Sequence, residues 1–249
     1  MARECRRLLI PPQRLAALDV ERRLPLSDEH SRYLTKVLRF SPGARFSVID
    51  GVGHLWDAEL VDQQHARLLQ PLEQPLCSEL APHPALVLAA AVVKRDFDLV
   101  VRMAVELGVD RLVPLLCERT AVQGQLRPER WHAIAAEAAE QCERLWMPQL
   151  DDPQPLEQAL ENAPQALRLW ATTRQPQLPL LSEGLRNLGR EISVVWLACG
   201  PEGGWSAAEE TLALEHRWVP VQFGPTILRS STACVAGAAC LSGWRAALP

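Results

Sequence analysis

The chain has 249 residues, 48% of them apolar and 22% charged, and a formal net charge of −4. These values describe an ordinary globular protein with ample length for a core, as one large domain or two small ones, and the acidic balance argues against a protein that coats nucleic acid generically. No uninterrupted apolar run reaches membrane-spanning length, and MARECRRLLIPP lacks the apolar centre of a signal peptide, so a cytoplasmic location without a membrane partner is expected. Seven cysteines are scattered without a CxxC pair or zinc spacing; they read as reduced small hydrophobes, and no metal site is expected.

The average charge hides an asymmetry. From Met1 to Phe46 ten basic residues stand against five acids, and acids dominate afterwards. A basic amino-terminal segment on an acidic body suits a locally docked polyanion, because phosphate neutralisation supplies much of such affinity; a solvated surface is the plainer alternative. SDEHSRYLTKVLRF predicts a helix capped by Ser27, with Tyr33, Leu34, Val37 and Leu38 on one face and Arg32, Lys36 and Arg39 mostly on the other. A turn at Pro42-Gly43, a strand through Ile49, an Asp50-Gly51 turn and strands over 55–61 and 66–72 follow. Residues 1–75 are therefore expected to form a small β-barrel domain that presents its arginines outward.

Between Pro71 and Pro84 four prolines and the lack of periodicity predict a linker. The period then changes, and residues 76–249 read as a second domain. Leu86 to Val93 is a near-continuous apolar run, as for a strand buried on both faces. A helix follows from Arg95 to Leu107, with Phe97, Val100, Val101, Ala104 and Leu107 inward and Gly108 closing it. The strand RLVPLLC, a helix over 128–146, the strand ALRLWAT, a weaker helix near 178–188 and the strand ISVVWLAC come next. The helix SAAEETLALEH, the strand WVPVQF and a helix from about Ser230 to Ala247 complete the chain. Strands alternating with helices indicate a parallel α/β sheet covered on both faces, with ligands bound beyond the carboxyl ends of the strands.

Two Gly-Pro turns sit at such ends, ACGPEGGWS (198–206) and FGPTILRSSTA (223–233), and their spacing suggests loops on neighbouring strands closing over a ligand. Three glycines in GPEGG let the backbone approach a ligand and expose N–H donors, and Glu202 is the only charge there. A tight strand-helix connection with Ser206 as N-cap explains the same residues equally well. In the second turn Ile227 and Leu228 are suited to flank a flat ring. Arg229, at the mouth of the last helix, reads as a clamp for phosphate or a developing anion, or as the partner of an acid such as Glu202. Neither turn is GxGxxG or GxxxxGK[ST], which disfavours a dinucleotide or triphosphate enzyme.

The ordered set HSRYLTKVLR, VELGVDRLVPLLCERT, AAEAAEQCERLWMP, ACGPEGGWSAAEE and FGPTILRSSTA resembles the ribosomal RNA small subunit methyltransferase E family of the SPOUT superfamily, over essentially the whole chain. The resemblance implies a PUA-like amino-terminal barrel and an α/β domain with a trefoil knot. It implies S-adenosylmethionine as methyl donor, a homodimer, and N3-methyluridine in 16S small-subunit rRNA as product. Carried over by position, Gly200, Pro201, Glu202, Gly203 and Gly204 match the first cofactor loop. Phe223, Gly224, Ile227, Leu228, Arg229 and Thr232 fall in the second, with Trp170 and Ala171 as a third contact. Arg229 and Glu202 become the catalytic candidates, for anion stabilisation and proton acceptance or ligand binding. Glu118-Arg119 and Glu140-Gln141-Arg144 match polar positions near the dimer interface and substrate face. Arg22, Arg23, Arg32, Lys36, Arg39, Lys94, Arg95 and Arg144 are the candidate RNA contacts.

The chain departs from the family's pattern at several places. Ser231 replaces an acid in the usual LRTET, Arg102-Met103 stands for a Gln-Lys pair, Lys94-Arg95 for a Lys-Gly turn, and Trp205 for a smaller apolar residue. The alternative expectation is thus a divergent paralogue acting on another RNA site, or a non-catalytic RNA-binding or assembly factor.

Overall fold

A computed structural model describes residues 6–121, 126–163, 166–173, 175, 177–186 and 188–249; Cys5 lies outside them. The chain divides into two compact units, Met1–Ala81 with Ala139–Met147, and Pro82–Ala138 with Pro148–Pro249.

In the first unit, β1 (Arg7–Leu9), β3 (Arg45–Ile49), β4 (His54–Leu60), β5 (His65–Leu68) and β2 (Arg23–Pro25) lie in that order across the sheet, with β6 (Cys77–Ser78) also on β4. β1 runs parallel to β3 and the other pairs are antiparallel. The strand period of two sends Trp56, Ala58 and Leu60 of β4 into one core with Leu24, Phe46, Val48 and Leu68. Short helices α1 (Pro12–Leu15) and α2 (Asp28–Arg32) add Leu15 and, just past α2, Leu34 to that core.

The Ser27 cap forms, with the His30 N–H donating to Ser27 Oγ at 3.2 Å. Burial, and then the Arg14 guanidinium, pull the His30 imidazole below its ordinary pKa. Of the expected apolar face, Tyr33, Leu34 and Leu38 pack on the core and Val37 does not. Residues Tyr33–Val37 widen into a turn closed by Leu38 N–H to Tyr33 O at 2.9 Å. The extra residue in that turn sets Leu38 above Tyr33 on the core side and turns Val37 outward, where it is 63% exposed.

The proline-rich stretch is paired rather than free. Leu76 N–H donates to Leu55 O at 2.7 Å and Glu79 N–H to Gly53 O at 2.8 Å. The helix expected through Trp146 stops at Gln141, and Glu143 takes a left-handed φ of 64°. The residues after it bond into the first unit through Gly53 N–H to Leu145 O (3.0 Å) and Met147 N–H to Gly51 O (2.8 Å).

The second unit is a parallel sheet in the order β10 (Gln154–Pro155), β8 (Arg111–Leu116), β7 (Ala85–Ala91), β12 (Val194–Cys199), β11 (Leu167–Ala171) and β13 (Val219–Val221), with β9 (Gln149–Leu150) also on β8. Residues of β7 are buried on both faces, as the apolar run requires. On one face α5 (Leu156–Glu161) and α7 (Ala207–Glu215) cover a core with Val87, Ala89, Trp170, Trp196 and Trp218. On the other, α8 (Ser230–Ala246) packs on β7, β12 and α3 (Phe97–Glu106), and α6 (Leu181–Leu185) packs on α8. The remaining helix, α4 (Pro128–Gln141), spans the boundary between the units' segments. β9 and β10, two residues each, carry no period to read in the sequence. Among the described residues no helix is long and apolar enough to cross a membrane.

Gly237 lets α8 approach β12 closely. A Cβ there would collide with Leu197 Cδ2 and come within 3.2 Å of the Phe223 ring, whereas one at Gly243 meets nothing within 4 Å. In chemical denaturation, Gly237→Ala should therefore lose about 1–3 kcal/mol through overpacking. Gly243→Ala should gain roughly 0.5–1 kcal/mol through helix propensity.

Candidate functional site

The parallel register brings the outgoing loops of the second unit to one level. Ala171 pairs with both Cys199 and Val221, and Cys199 with Ala90. Thr172, Gly200 and Gln222, the next residues along, border a cavity of about 1040 Å³ with the β7–α3 loop and Arg119. That is at the upper end of the ~300–1,000 Å³ typical of ligand sites. The two Gly-Pro turns do not leave neighbouring strands, because β11 lies between β12 and β13.

The GPEGG loop is held from several sides. Gly200 lies against the Trp205 indole, where a Cβ would come 2.8 Å from Cε2. Trp205 Nε1 donates to Ala171 O at 2.8 Å, and its ring stacks on Trp170 at 3.9 Å. Arg119 Nη1 donates to the carbonyls of Gly203 and Trp205, both at 3.0 Å. The buried Glu209 carboxylate accepts from Glu118 N–H and Ser206 N–H, both at 2.8 Å, while the Glu209 N–H donates to Ser206 Oγ at 3.3 Å. Ser206 therefore caps α7 in a capping box, so the loop is both a tight connection and a cavity wall.

The second loop is pinned at both ends. Gln222 N–H donates to Pro179 O (3.0 Å), Leu181 N–H to Gln222 O (2.9 Å), and Gln222 Nε2 to Leu178 O (2.6 Å). At the far end Ser230 Oγ donates to Gly200 O, joining the start of α8 to the first loop. Gly204 and Gly224 adopt φ of +71° and +135° with open space beside them, which leaves backbone accessible to a ligand. Ile227 on this loop is 63% exposed.

Charge is distributed unevenly around the cavity. Lys94, Arg95, Asp96 and Arg119, on the loops after β7 and β8, border one side. Glu202 reaches that side, its Oε1 accepting from Lys94 N–H at 3.3 Å. Arg229 is exposed and, among the described residues, forms no ion pair, so the Arg229–Glu202 pair considered from sequence is not made. α8 starts at Ser230 with no side-chain cap, which leaves its first N–H groups free for an anion or solvent. Cys199 borders the cavity as a thiol: its hydrogen bond with Cys234 and its burial hold its pKa well above the usual range. Cys117, behind the Arg119 loop, is pushed up to about 12 by burial and by Glu209. Both thiols are thereby held in the protonated, less reactive form.

The residues expected from both loops, Gly200 to Gly204 and Phe223 to Arg229, border the cavity, as does Ala171. Trp170 and Thr232 do not. Strand alternation turns Trp170 away from Ala171 into the core, and the first turn of α8 carries Thr232 to the surface. The candidate RNA contacts do not form one set. Lys94 and Arg95 border the cavity, whereas Arg22, Arg23, Arg32, Lys36, Arg39 and Arg144 belong to the first unit. Within it Arg22 Nη1 donates to Leu69 O at 3.0 Å and Arg23 pairs with Glu21 at 3.0 Å. Sequence reasoning missed Thr172, Glu210 and Ser230 at the cavity and the loop-holding role of Arg119. Thr172 was signalled by its place directly after a buried strand; Glu210 reads as an ordinary first-turn acid of α7.

Comparison with known proteins fits this geometry. Residues 81–242 match the family model for an RNA methyltransferase domain, and residues 26–66 match that for an RNA methyltransferase PUA domain. Ribosomal RNA small subunit methyltransferase E of Synechocystis sp. is 37% identical over 91% of this chain and 74% of its own length. The protein of that name from Buchnera aphidicola (Schizaphis graminum) is 24% identical over 88% and 89%. Among solved structures, ribosomal RNA small subunit methyltransferase E from Neisseria gonorrhoeae, bound to S-adenosyl methionine, superposes with a TM-score of 0.80 at 26% identity, covering 96% of this chain and 97% of that one. A Legionella pneumophila structure in complex with bound SAM gives 0.83 at 26% identity, covering 97% and 98%. With the catalytic-domain match, the amino-terminal PUA match and the cavity at the strand ends in agreement, the chain belongs to the ribosomal RNA small subunit methyltransferase E family.

Proposed function

We propose that this protein transfers a methyl group from S-adenosylmethionine to N3 of a uridine in small-subunit rRNA, acting as a cytoplasmic homodimer. The observation that carries the reading is the cavity bounded by both Gly-Pro loops, in a chain whose structural relatives hold this cofactor. The residues fit the group. Gly204 and Gly224 leave backbone open to a nucleoside, and Ile227 and Leu228 supply an apolar surface for its ring. The wrapping of 178–181 around Gln222 and the return of β12 between β7 and β11 support the knotted path that the family resemblance implies.

When bound, the cofactor supplies a methyl group on a sulfonium, ready for in-line attack. The chain must then position the uridine, accept its N3 proton and stabilise the resulting anion. Lys94 and Arg95 attract the phosphates of a nucleotide turned out of its stack. Glu202, fixed through Oε1 by the Lys94 N–H, keeps Oε2 free to accept the proton. Arg229 and the uncapped N-terminus of α8 supply positive potential for the anion. Two walls holding both reactants in line contribute the orientational part of the acceleration.

The direct test is mass spectrometry of rRNA from a strain lacking this gene. N3-methyluridine in the small subunit should disappear and return on complementation; an unchanged level overturns the target. Arg229→Ala should lower kcat about 10²–10³-fold, the usual cost of removing one anion-stabilising donor, with the melting temperature unchanged. Equal losses of stability and activity would make Arg229 a structural residue. The loop clasp should divide differently. Glu209→Gln leaves a buried N–H facing a donor and should cost about 1–3 kcal/mol of stability. Arg119→Ala removes an exposed guanidinium and should leave stability nearly unchanged, while displacement of GPEGG lowers kcat by roughly 10–100-fold.

A further inference from the structure

The cavity has two unlike halves. The loops after β7 and β8 contribute Lys94, Arg95, Asp96 and Arg119, with Glu202 tied to them. Among the described residues, the loops after β11 and β13 contribute uncharged residues such as Thr172, Thr173, Gln222 and Ile227; their one cation at the cavity, Arg229, sits at the seam, because Ser230 beside it bonds to Gly200 O on the central β12 loop. The sheet order separates these halves, since β8 and β7 lie on one side of β12 and β11 and β13 on the other. Into the neutral half the first turn of α7 brings a carboxylate, Glu210. Thr172 Oγ1 donates to Glu210 Oε1 at 3.0 Å, and both residues border the cavity.

We infer that Thr172 and Glu210 form a ligand-reading pair for the vicinal hydroxyls of the methyl donor's ribose. The inference rests on the methyl-donor reading above. The hydroxyl's single proton is committed to Glu210, so the pair presents only acceptors: Glu210 Oε2 and the Thr172 oxygen lone pairs. Such a pair requires a ligand group with two adjacent donors. The reacting methyl must face the RNA, and the polyanion is drawn to the cationic half. The donor's charged amino-acid end and its sulfur therefore point there, which leaves the nucleoside in the neutral half. Within a nucleoside the group carrying two neighbouring O–H donors is the ribose diol. An acid on a ribose diol is a recurrent solution in nucleotide-binding folds, reached in this chain from a helix's first turn. Thr172, only 7% exposed, fixes the carboxylate's orientation before ligand arrives.

The test is calorimetry on the full-length protein with three probes: S-adenosylmethionine, 5′-methylthioadenosine, which keeps the diol but lacks the amino acid, and its 2′-deoxy analogue. Glu210→Gln should weaken S-adenosylmethionine and 5′-methylthioadenosine by a similar factor, about 10–100-fold for hydrogen bonds to a charged acceptor. Thr172→Val should show a smaller loss in the same direction, and Thr172→Ser should restore binding. Wild type should disfavour the 2′-deoxy probe, and Glu210→Gln should lose that preference. Near-UV circular dichroism checks that each variant keeps its native packing. Loss of S-adenosylmethionine binding alone would place the amino-acid end at Glu210 and overturn the inference. Unchanged affinity in Glu210→Gln would overturn it as well while leaving the donor reading intact. Failure of the wild type to bind S-adenosylmethionine at all would overturn both.

Discussion

Placing β12 between β7 and β11 in parallel register is the constraint from which the site follows. Parallel ladders align strand ends, so Ala90, Cys199, Ala171 and Val221 finish at one level and their loops must share one edge of the sheet. The chain reaches β12 only after laying down β11, and then crosses back to add β13 outside β11. That return holds apart the two Gly-Pro loops and leaves the β11 loop between them. The cavity is thus a product of strand order first and of side chains second, as expected where a doubly wound sheet changes direction.

Around that edge a few polar groups do most of the positioning. The Glu209 carboxylate uses one oxygen to close the α7 cap and the other to hold the loop after β8. A buried carboxylate is tolerated because both oxygens find N–H donors. Trp205 links Gly200, Ala171 and Trp170 through packing, a hydrogen bond and a ring stack. Its size has a structural rationale here, since the indole fills the space beside Gly200 that a smaller residue would leave to the loop.

How much of this could be read from the residues depended on the range of the interaction. The apolar run at 86–93, the Ser27 and Ser206 caps and the Gly-Pro turns are local signals, and each corresponds to an observed element. Strand order is not local: nothing in residues 194–221 reveals that β11 lies between β12 and β13, so spacing alone suggests neighbouring strands for the two turns. Val37 leaves its expected face because one widened turn breaks the fixed period that the pattern assumes. At the site, the glycines and Arg229 stand out by type and position. Glu210 and Thr172 do not, because their significance comes from facing each other across 38 residues.

The aromatic cluster beneath the cavity has an optical consequence. Trp170 and Trp205 stack at 25° between planes, and Trp218 meets both Trp170 and Trp196 edge-on at 6.2 Å. Indoles this close exchange excitation faster than they emit, so the group behaves as one chromophore with coupled near-ultraviolet transitions. Since Trp205 also borders the cavity, that chromophore extends from the core to the binding surface. With eight tryptophans and one tyrosine in the chain, intrinsic emission is dominated by indole. A ligand in the cavity would therefore meet one end of that group of indoles at Trp205.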